Sequence, residues 1–512
     1  MANSKYRHFI FALTADRPKT SRLIAFVLGA MATFVFAPVG WSLLAPLLMI
    51  PLLYVGLTAS PKDAASHYFW FGFGMFLVGT YWIYISVVVF GNAALWIALM
   101  LMVGLSLIIA CLMWIAGWLT SSLCHGEPWR LYFVGPAAWV LIEWVRGWIF
   151  TGFPWLAHGY GQIDSALAGF APVLGVYGVS LMLLFGTVAV LVALMTTGRE
   201  RIIAAGLIPL PWILGGILGS VDWTEDYGKA VRTTIIQAGL SQDEKWLPQN
   251  RDTIMENYRT ATLTVPDSEL VIWPEVAIPA RDDQVESFIR NVGRDAKRNE
   301  QTVLLGILEY SEEYGAEAKI YNSVFMLGGE ELQIYRKRHL VPFGEYFPVP
   351  ASVRDWMRLR NLPYADLAAG DDVQPLLLAA NGAKLSIAIC YEDAYGSEYL
   401  YAFPGADILI NVSNDAWFGD SLAPHQHLQI ARMRALEFGR YAVRSTNTGI
   451  SAFIGPDGEL LQTSRQFETD VLTHSIRLRR GITVYAGSGN WPVIGFCFLV
   501  IGFSWVRSRA GI

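Results

Sequence analysis

Three segments of this 512-residue chain end an apolar run in a side chain able to act as a nucleophile, a base or a cation. Leu385–Ile389 runs into Cys390-Tyr391-Glu392, Leu270–Trp273 into Pro274-Glu275, and Leu332–Tyr335 into Arg336-Lys337-Arg338-His339. A thiol at a strand end, entering a turn, exposes its sulfur to a substrate and to nearby backbone N–H donors. It needs a base within reach, or a cation that lowers its pKa. The three strand ends offer a Glu, a Lys and a Cys, which sequence order does not put together but sheet topology could. Simpler readings exist for each residue. Cys390 reads as a buried structural thiol, Lys337 as part of a solvated basic run, and Glu275 as a helix-start carboxylate. Their joint occurrence, with Tyr391-Glu392 and His339-Leu340-Val341-Pro342-Phe343-Gly344-Glu345 flanking them, weighs against these.

Other candidates carry less chemistry. Cys111, Cys124 and Cys497 lie in or beside apolar runs, and no CxxC spacing suggests a zinc site or redox pair. His425 and His427 lack a third ligand at convincing spacing, so no metal is expected. Arg432 and Arg434 read most simply as sheet-edge or helix-surface charges.

The elements that must position these residues lie between residues 230 and 480. Strand candidates are Thr233–Gln237, Leu270–Trp273, Thr302–Leu308, Tyr321–Leu327, Leu385–Ile389, Ile408–Val412, Ala442–Ser445 and Ser451–Ile454. Helix candidates are 246–262, 282–299 and 425–439. Gly328-Gly329 and Gly455-Pro456-Asp457-Gly458 are turn signals between strands. The mixture implies an α/β domain with a mixed sheet and helices on its outer faces.

Composition divides the chain. Residues 1–224 hold 17 charged residues and 225–487 hold 62, and only Arg507 and Arg509 follow. The second density is that of an ordinary soluble domain, about 25%; the first belongs in a bilayer. A single soluble globule and a disordered chain are both excluded. Net charge is −5 without a basic tract, so nucleic acid is not an expected partner. Seven apolar runs precede the soluble part, at 21–37, 41–57, 66–89, 93–119, 130–150, 166–195 and 201–221, and an eighth follows at 491–506.

The expected domains are 1–224 with about seven transmembrane helices, 225–487 as the catalytic domain, and 488–512 as a last helix with a short tail. The first run lacks a convincing cleavage site and is expected to be retained. Lys5, Arg7, Arg17, Lys19, Arg22, Lys62, Arg130, Arg199, Arg201, Arg507 and Arg509 fall on one side of that topology and Arg146 on the other. Both termini are therefore expected in the cytoplasm and 225–487 outside it. Glu143 and Arg146, at i and i+3, are expected to pair on one helix face. Thr151-Gly152-Phe153-Pro154-Trp155-Leu156 reads as an interfacial loop.

The three chemistry-bearing segments resemble the Glu-Lys-Cys triad of the nitrilase superfamily. Three longer segments narrow this: Tyr335–Glu345, Ser413-Asn414-Asp415-Ala416-Trp417-Phe418-Gly419, and Ala431–Glu437. Together with Thr151–Trp155 and the single C-terminal run, they resemble the bacterial apolipoprotein N-acyltransferases over essentially the whole chain. That resemblance implies a membrane bundle of about eight spans plus an α/β nitrilase-like domain, an α-β-β-α sandwich. It implies an enzyme of the inner membrane, multi-pass and monomeric, with its catalytic domain in the periplasm and no cofactor.

The implied reaction moves an acyl chain, the sn-1 chain, from a phospholipid to Cys390 as a thioester. The free α-amine of the diacylglyceryl-cysteine of an apolipoprotein then takes it. Glu275 would be the base and Lys337 the oxyanion stabiliser. Glu345 would orient Lys337 or the substrate, while Tyr391, Glu392, Trp246, Trp417 and Phe418 would line the site. Two other classes compete. A membrane-tethered amidase would use the same triad with water as acceptor, but gives no reason for so much membrane. The other is a transporter or scaffold, which should tolerate loss of Cys390; the first seven runs lack the intramembrane charges a transport path needs, with Glu143 and Arg146 the only clear candidates.

Overall fold

The computed structural model describes residues 18–91, 94–124, 126–312, 318–346, 352 and 366–510. Lys5, Arg7 and Arg17 of the charge count lie outside the described residues. The chain divides into two compact units. One comprises Met1–Asp222, Phe418–Gln429 and Ser488–Ile512, and the other Trp223–Trp417 and Ile430–Gly487.

In the first unit every apolar run falls in helix. Fewer than the expected eight qualify as spans by themselves. Among the described residues four helical stretches are long and apolar enough: Leu95–Cys124, Ala166–Met195, Gly198–Gly219 and Trp491–Ala510. A fifth is added if Pro61–Gly79 and Trp82–Val89, bent by 47°, count as one. Length explains part of the shortfall. Leu44–Thr58 has 15 residues, roughly 22 Å at 1.5 Å per residue, against a hydrocarbon core of about 30 Å. Pro128–Val145 has 18 residues but carries Arg130 and Glu143.

Close packing in this unit relies on small residues. A Cβ on Gly29 would lie 2.7 Å from the Phe71 carbonyl carbon, and one on Gly74 would lie 2.9 Å from that of Phe26. Helices Pro18–Met31 and Pro61–Gly79 thus meet backbone to backbone, as apolar helices do when no hydrophobic effect drives them together. Some buried polar side chains find partners within the unit. Glu143, 1% exposed, accepts from Trp139 Nε1 at 2.9 Å and from His158 N at 2.9 Å, with His158 Nδ1 3.1 Å away. Arg146 Nη1 donates to the carbonyls of Phe153, at 2.8 Å, and of Trp155. The expected interfacial loop is therefore partly core. Trp155 is buried, and its Nε1 donates to Gln426 Oε1 at 2.7 Å. Trp82 Nε1 donates to the same oxygen at 3.3 Å, and Gln426 Nε2 donates to the Gly79 carbonyl.

The second unit is built on two six-stranded sheets. The first, in the order β12-β1-β2-β3-β4-β5, comprises β1 (Thr224–Gln237), β2 (Leu270–Ile272), β3 (Thr302–Ser311), β4 (Lys319–Leu327), β5 (Gln333–Arg336) and β12 (Asp470–Gly481). The second, in the order β11-β10-β9-β8-β7-β6, comprises β6 (Leu377–Leu378), β7 (Lys384–Ile389), β8 (Ile408–Ser413), β9 (Ala442–Thr446), β10 (Ala452–Ile454) and β11 (Leu460–Thr463). β1, β2 and β3 pair in parallel, as do β7, β8 and β9; the outer pairs are antiparallel.

Period-two alternation sets the layers. Leu270 and Ile272 share one core with Leu385, Ile387 and Ile389 of the other sheet. Val271 and Trp273 face a second core with Ile254, Tyr258, Ile289 and Val292. Those last four residues belong to helices Arg251–Leu263 and Glu286–Arg298. The latter buries Ile289, Val292 and Ala296 and ends in Lys297-Arg298, which complement the helix dipole. Strands buried on both faces explain the continuous apolar runs that the sequence displays.

Candidate active site

Parallel strands collect chemistry beyond their carboxyl ends. β2 leads through Trp273-Pro274 to Glu275, and β7 leads straight into Cys390. Glu275 is held by a close approach to β3. Trp273 N donates to the Leu304 carbonyl and Ala277 N to that of Gly306. A Cβ on Gly306 would stand 2.8 Å from Glu275 Cα, so the strand must be bare there. Cys390 has φ of 53°, in the left-handed region, and opens the turn Cys390–Ala394. A non-glycine residue in that conformation costs on the order of 1–3 kcal/mol and marks a sharp, enforced bend. Lys337 follows β5, and its N–H donates to the Asn322 carbonyl at 2.8 Å, prolonging the β4–β5 pairing by one residue.

The three side chains are buried together. Lys337 Nζ lies 2.8 Å from Glu345 Oε1 and 3.7 Å from Glu275 Oε1. Asn322 Nδ2 donates to Glu275 Oε1 at 2.7 Å and to Glu345 Oε1 at 3.1 Å. Glu345 Oε2 accepts from Val341 N at 2.8 Å. One amide and one ammonium thus clamp two carboxylates that would otherwise repel.

The electrostatics follow from burial and mutual charge. Burial pushes the Glu275 carboxyl above the usual carboxylate range, against the pull of Lys337; Glu345 adds to the rise and the Asn322 bond opposes it. Burial works against the Lys337 ammonium, but Glu345, Glu275 and Cys390 outweigh it and hold its pKa above the ordinary value. The Cys390 thiol is pushed up by burial and by Glu275, with Lys337 opposing. Burial thus favours the thiol form of Cys390, and the neighbouring carboxyls favour the ammonium form of Lys337. Such a set can pass the thiol proton to Glu275 as sulfur attacks a carbonyl, with Lys337 near the oxygen that gains charge.

Glu392 ties two of these segments together. It is fully buried. Oε1 accepts from Arg338 N at 2.6 Å and His339 N at 3.2 Å, while Oε2 accepts from Ile389 N at 2.7 Å and the Tyr335 hydroxyl at 3.1 Å. The Cys390 turn and the Lys337 segment are therefore fixed through one carboxylate. Burial raises its pKa, with Glu398 adding and the backbone donors opposing.

The sequence matches two family descriptions: Carbon-nitrogen hydrolase over residues 232–484, and Apolipoprotein N-acyltransferase N-terminal domain over residues 28–191. The apolipoprotein N-acyltransferase of Methylococcus capsulatus is 40% identical over 491 residues, covering 95% of this chain and 96% of that one. Those of Photobacterium profundum and Shewanella oneidensis are 36% and 34% identical, each over 96% of this chain and over 96% and 97% of their own. This chain belongs to the apolipoprotein N-acyltransferase family. Its α/β unit is the nitrilase-like part of that family's architecture.

Within this apolipoprotein N-acyltransferase family member, the structure brings Glu275, Lys337, Cys390, Glu345 and Glu392 into one cluster. Tyr391 follows in the Cys390 turn, its ring 5.2 Å from Tyr395 and 5.9 Å from His339. Trp246 is 48% exposed and donates to Gln242 Oε1 at 3.2 Å; Trp417 is 43% exposed. Phe418 falls in the helical unit, its ring 4.9 Å from Trp82. His427, also there, lies 5.4 Å from the Trp155 ring.

Arg434 departs from the surface reading: it is 1% exposed and pairs with Glu437 at 2.9 Å, because its helix end is buried in the α/β unit. Arg432 donates to the Gly458 carbonyl. Sequence reasoning missed Asn322, whose signal was an amide inside the mostly apolar strand β4. It also missed Arg444 on β9, which binds Asn411 Oδ1 at 2.5 Å and Asp415 Oδ2 at 2.7 Å. Asn411 in turn donates to the Cys390 carbonyl at 3.4 Å.

Proposed function

We propose that this protein is an apolipoprotein N-acyltransferase working through an acyl-Cys390 thioester. Glu275 takes the Cys390 proton while sulfur attacks the sn-1 ester carbonyl of a phospholipid. Lys337 and a backbone N–H beyond Cys390 stabilise the oxyanion. The C–O bond breaks, the proton passes from Glu275 to the leaving glycerol oxygen, and lyso-phospholipid departs. The free α-amine of the diacylglyceryl-cysteine of an apolipoprotein then attacks the thioester. Glu275 accepts the amine proton, the C–S bond breaks, and the thiol is restored with the proton returned. A thioester is a good acyl donor to an amine, and two steps avoid holding two lipids at once.

Glu345 orients Lys337, and Tyr391, Glu392, Trp246, Trp417 and Phe418 serve the site. The protein sits as a monomer in the bacterial inner membrane with its catalytic unit in the periplasm, and residues 1–224, 225–487 and 488–512 act as bundle, catalyst and last span.

The observation that carries this reading is the buried Glu275–Lys337–Glu345 cluster beside Cys390, in a chain whose family acts on lipoproteins by name. Its test is turnover of a synthetic diacylated lipopeptide with a free N-terminus in phospholipid micelles. A product heavier by one acyl chain, amide-linked and absent with Cys390→Ala, is expected. Release of free fatty acid with an unmodified lipopeptide would favour a hydrolase.

A further inference from the structure

The strand that delivers Lys337 lies at the edge of its sheet. β5 pairs with β4 on one side only, so the N–H and C=O groups along its other side need partners from elsewhere. A short strap, residues 367–374, supplies them. The buried Gln374 side chain stands in for a peptide group, offering both an acceptor and a donor. Its Oε1 accepts from Arg336 N at 2.9 Å, and its Nε2 donates to the Arg336 carbonyl at 2.6 Å. Gly370 N then donates to the Lys337 carbonyl at 2.8 Å. The approach leaves no room for a side chain. A Cβ on Gly370 would stand 2.7 Å from both Arg336 Cβ and Arg336 O, and 2.8 Å from Gln374 Nε2.

The same strap reaches the partner of Lys337. Leu367 N donates to the Glu345 carbonyl at 2.9 Å, and Ala368 N to the Ile320 carbonyl on β4 at 2.8 Å. Lys337 and Glu345, whose side chains meet at 2.8 Å, are therefore joined a second time, through the backbone of one segment. Lys337 itself is bonded on both sides, to Asn322 through its N–H and to Gly370 through its carbonyl. An oxyanion stabiliser works only if it is already in place where charge develops. We propose that the strap sets the position of Lys337 for that role, with Gln374 a positioning residue that acts through the strand end at Arg336–Lys337. This rests on the acyl-transfer reading above.

The test is the rate of Cys390 acylation by dioleoyl phosphatidylethanolamine in detergent micelles, read on the full-length chain by intact mass over a series of lipid concentrations. Gln374→Met removes both bonds to Arg336, and Gly370→Ala pushes the strap off the strand. A group that acts only in the transition state changes the maximal rate and leaves half-saturation where it was. Both variants are expected to lose about 10²-fold in maximal rate, the usual cost of a ~1 Å misplacement, at an unchanged half-saturating lipid concentration. Thermal melting reports which variants are folded. A merely structural strap would lower the melting temperature and leave the maximal rate of the folded protein intact, which would overturn the proposal. A rise in half-saturation at an unchanged maximal rate would overturn it too, by making the strap a lipid contact. Loss of the folded state in both variants would likewise reduce it to a structural element. Absence of any adduct on the unsubstituted protein would instead overturn the acyl-transfer reading, and this inference with it.

Discussion

Burial, and after it Glu275, push the Cys390 thiol up, with Lys337 opposing. In the proposed reaction the thiol proton must leave during attack, and Glu275 is suited to take it. A base works best when its pKa approaches the working pH, and burial moves Glu275 in that direction. Glu275→Gln is expected to slow Cys390 acylation by about 10²–10⁴-fold, the usual worth of a positioned base, without loss of the folded state. Mass spectrometry and thermal melting check both parts. The sign of the pH effect follows. Because the Glu275 pKa is raised, its base form is lost as pH falls through a value above the ordinary ~4.3 of glutamate. The acid limb of acylation should therefore lie above that value and vanish in Glu275→Gln. Glu275, Lys337 and Cys390 were legible because each ends an apolar run where a strand meets a turn. Asn322 was less so: an amide inside an apolar strand is a weak signal, and its contact with Glu275 depends on how the strands meet.

Elements act on the site through close approach and through shared hydrogen bonds. Gly306 on β3 leaves room for the Glu275 backbone. Gly306→Ala must push that segment aside, and a displacement of ~1 Å costs about 10²-fold in rate. The expected result is a folded protein with at least that loss in acylation, measured beside its melting temperature. Glu392 tests the second device. In Glu392→Gln an amide NH₂ faces N–H donors where a carboxylate oxygen accepted them. The expected destabilisation is about 1.5–3 kcal/mol, the worth of bonds to a charged group, read from denaturant unfolding of the α/β unit.

The buried strands were legible as apolar runs of four to eight residues. β12 was not, because polar and charged residues interrupt its apolar ones along an edge, as Arg477 and Arg479 do on either side of Leu478. The helix expected from residue 246 begins at Arg251, since Pro248 cannot donate inside a helix and sits in a preceding tight turn.

Over the whole molecule, composition separates an apolar part from a charged one, and the matched families cover residues 28–191 and 232–484. Span number was less legible. Hydropathy counts apolar runs, whereas helix length, the 47° bend after Gly79 and the buried Glu143 depend on how the runs pack. The positive-charge bias makes a separate prediction about sidedness. A cysteine introduced at exposed Asp457, in a Cys111→Ser background, is expected to react with a membrane-impermeant maleimide added outside spheroplasts. Labelling only after lysis would reverse the proposed orientation. The most direct test of the chemistry is intact-protein mass spectrometry after incubation with phospholipid alone. The expected result is one acyl adduct, released by hydroxylamine, mapped to Cys390 and discharged on adding a diacylated lipopeptide with a free amine. A folded protein that transfers the acyl chain to that lipopeptide yet never carries an adduct on Cys390 would contradict the thioester mechanism.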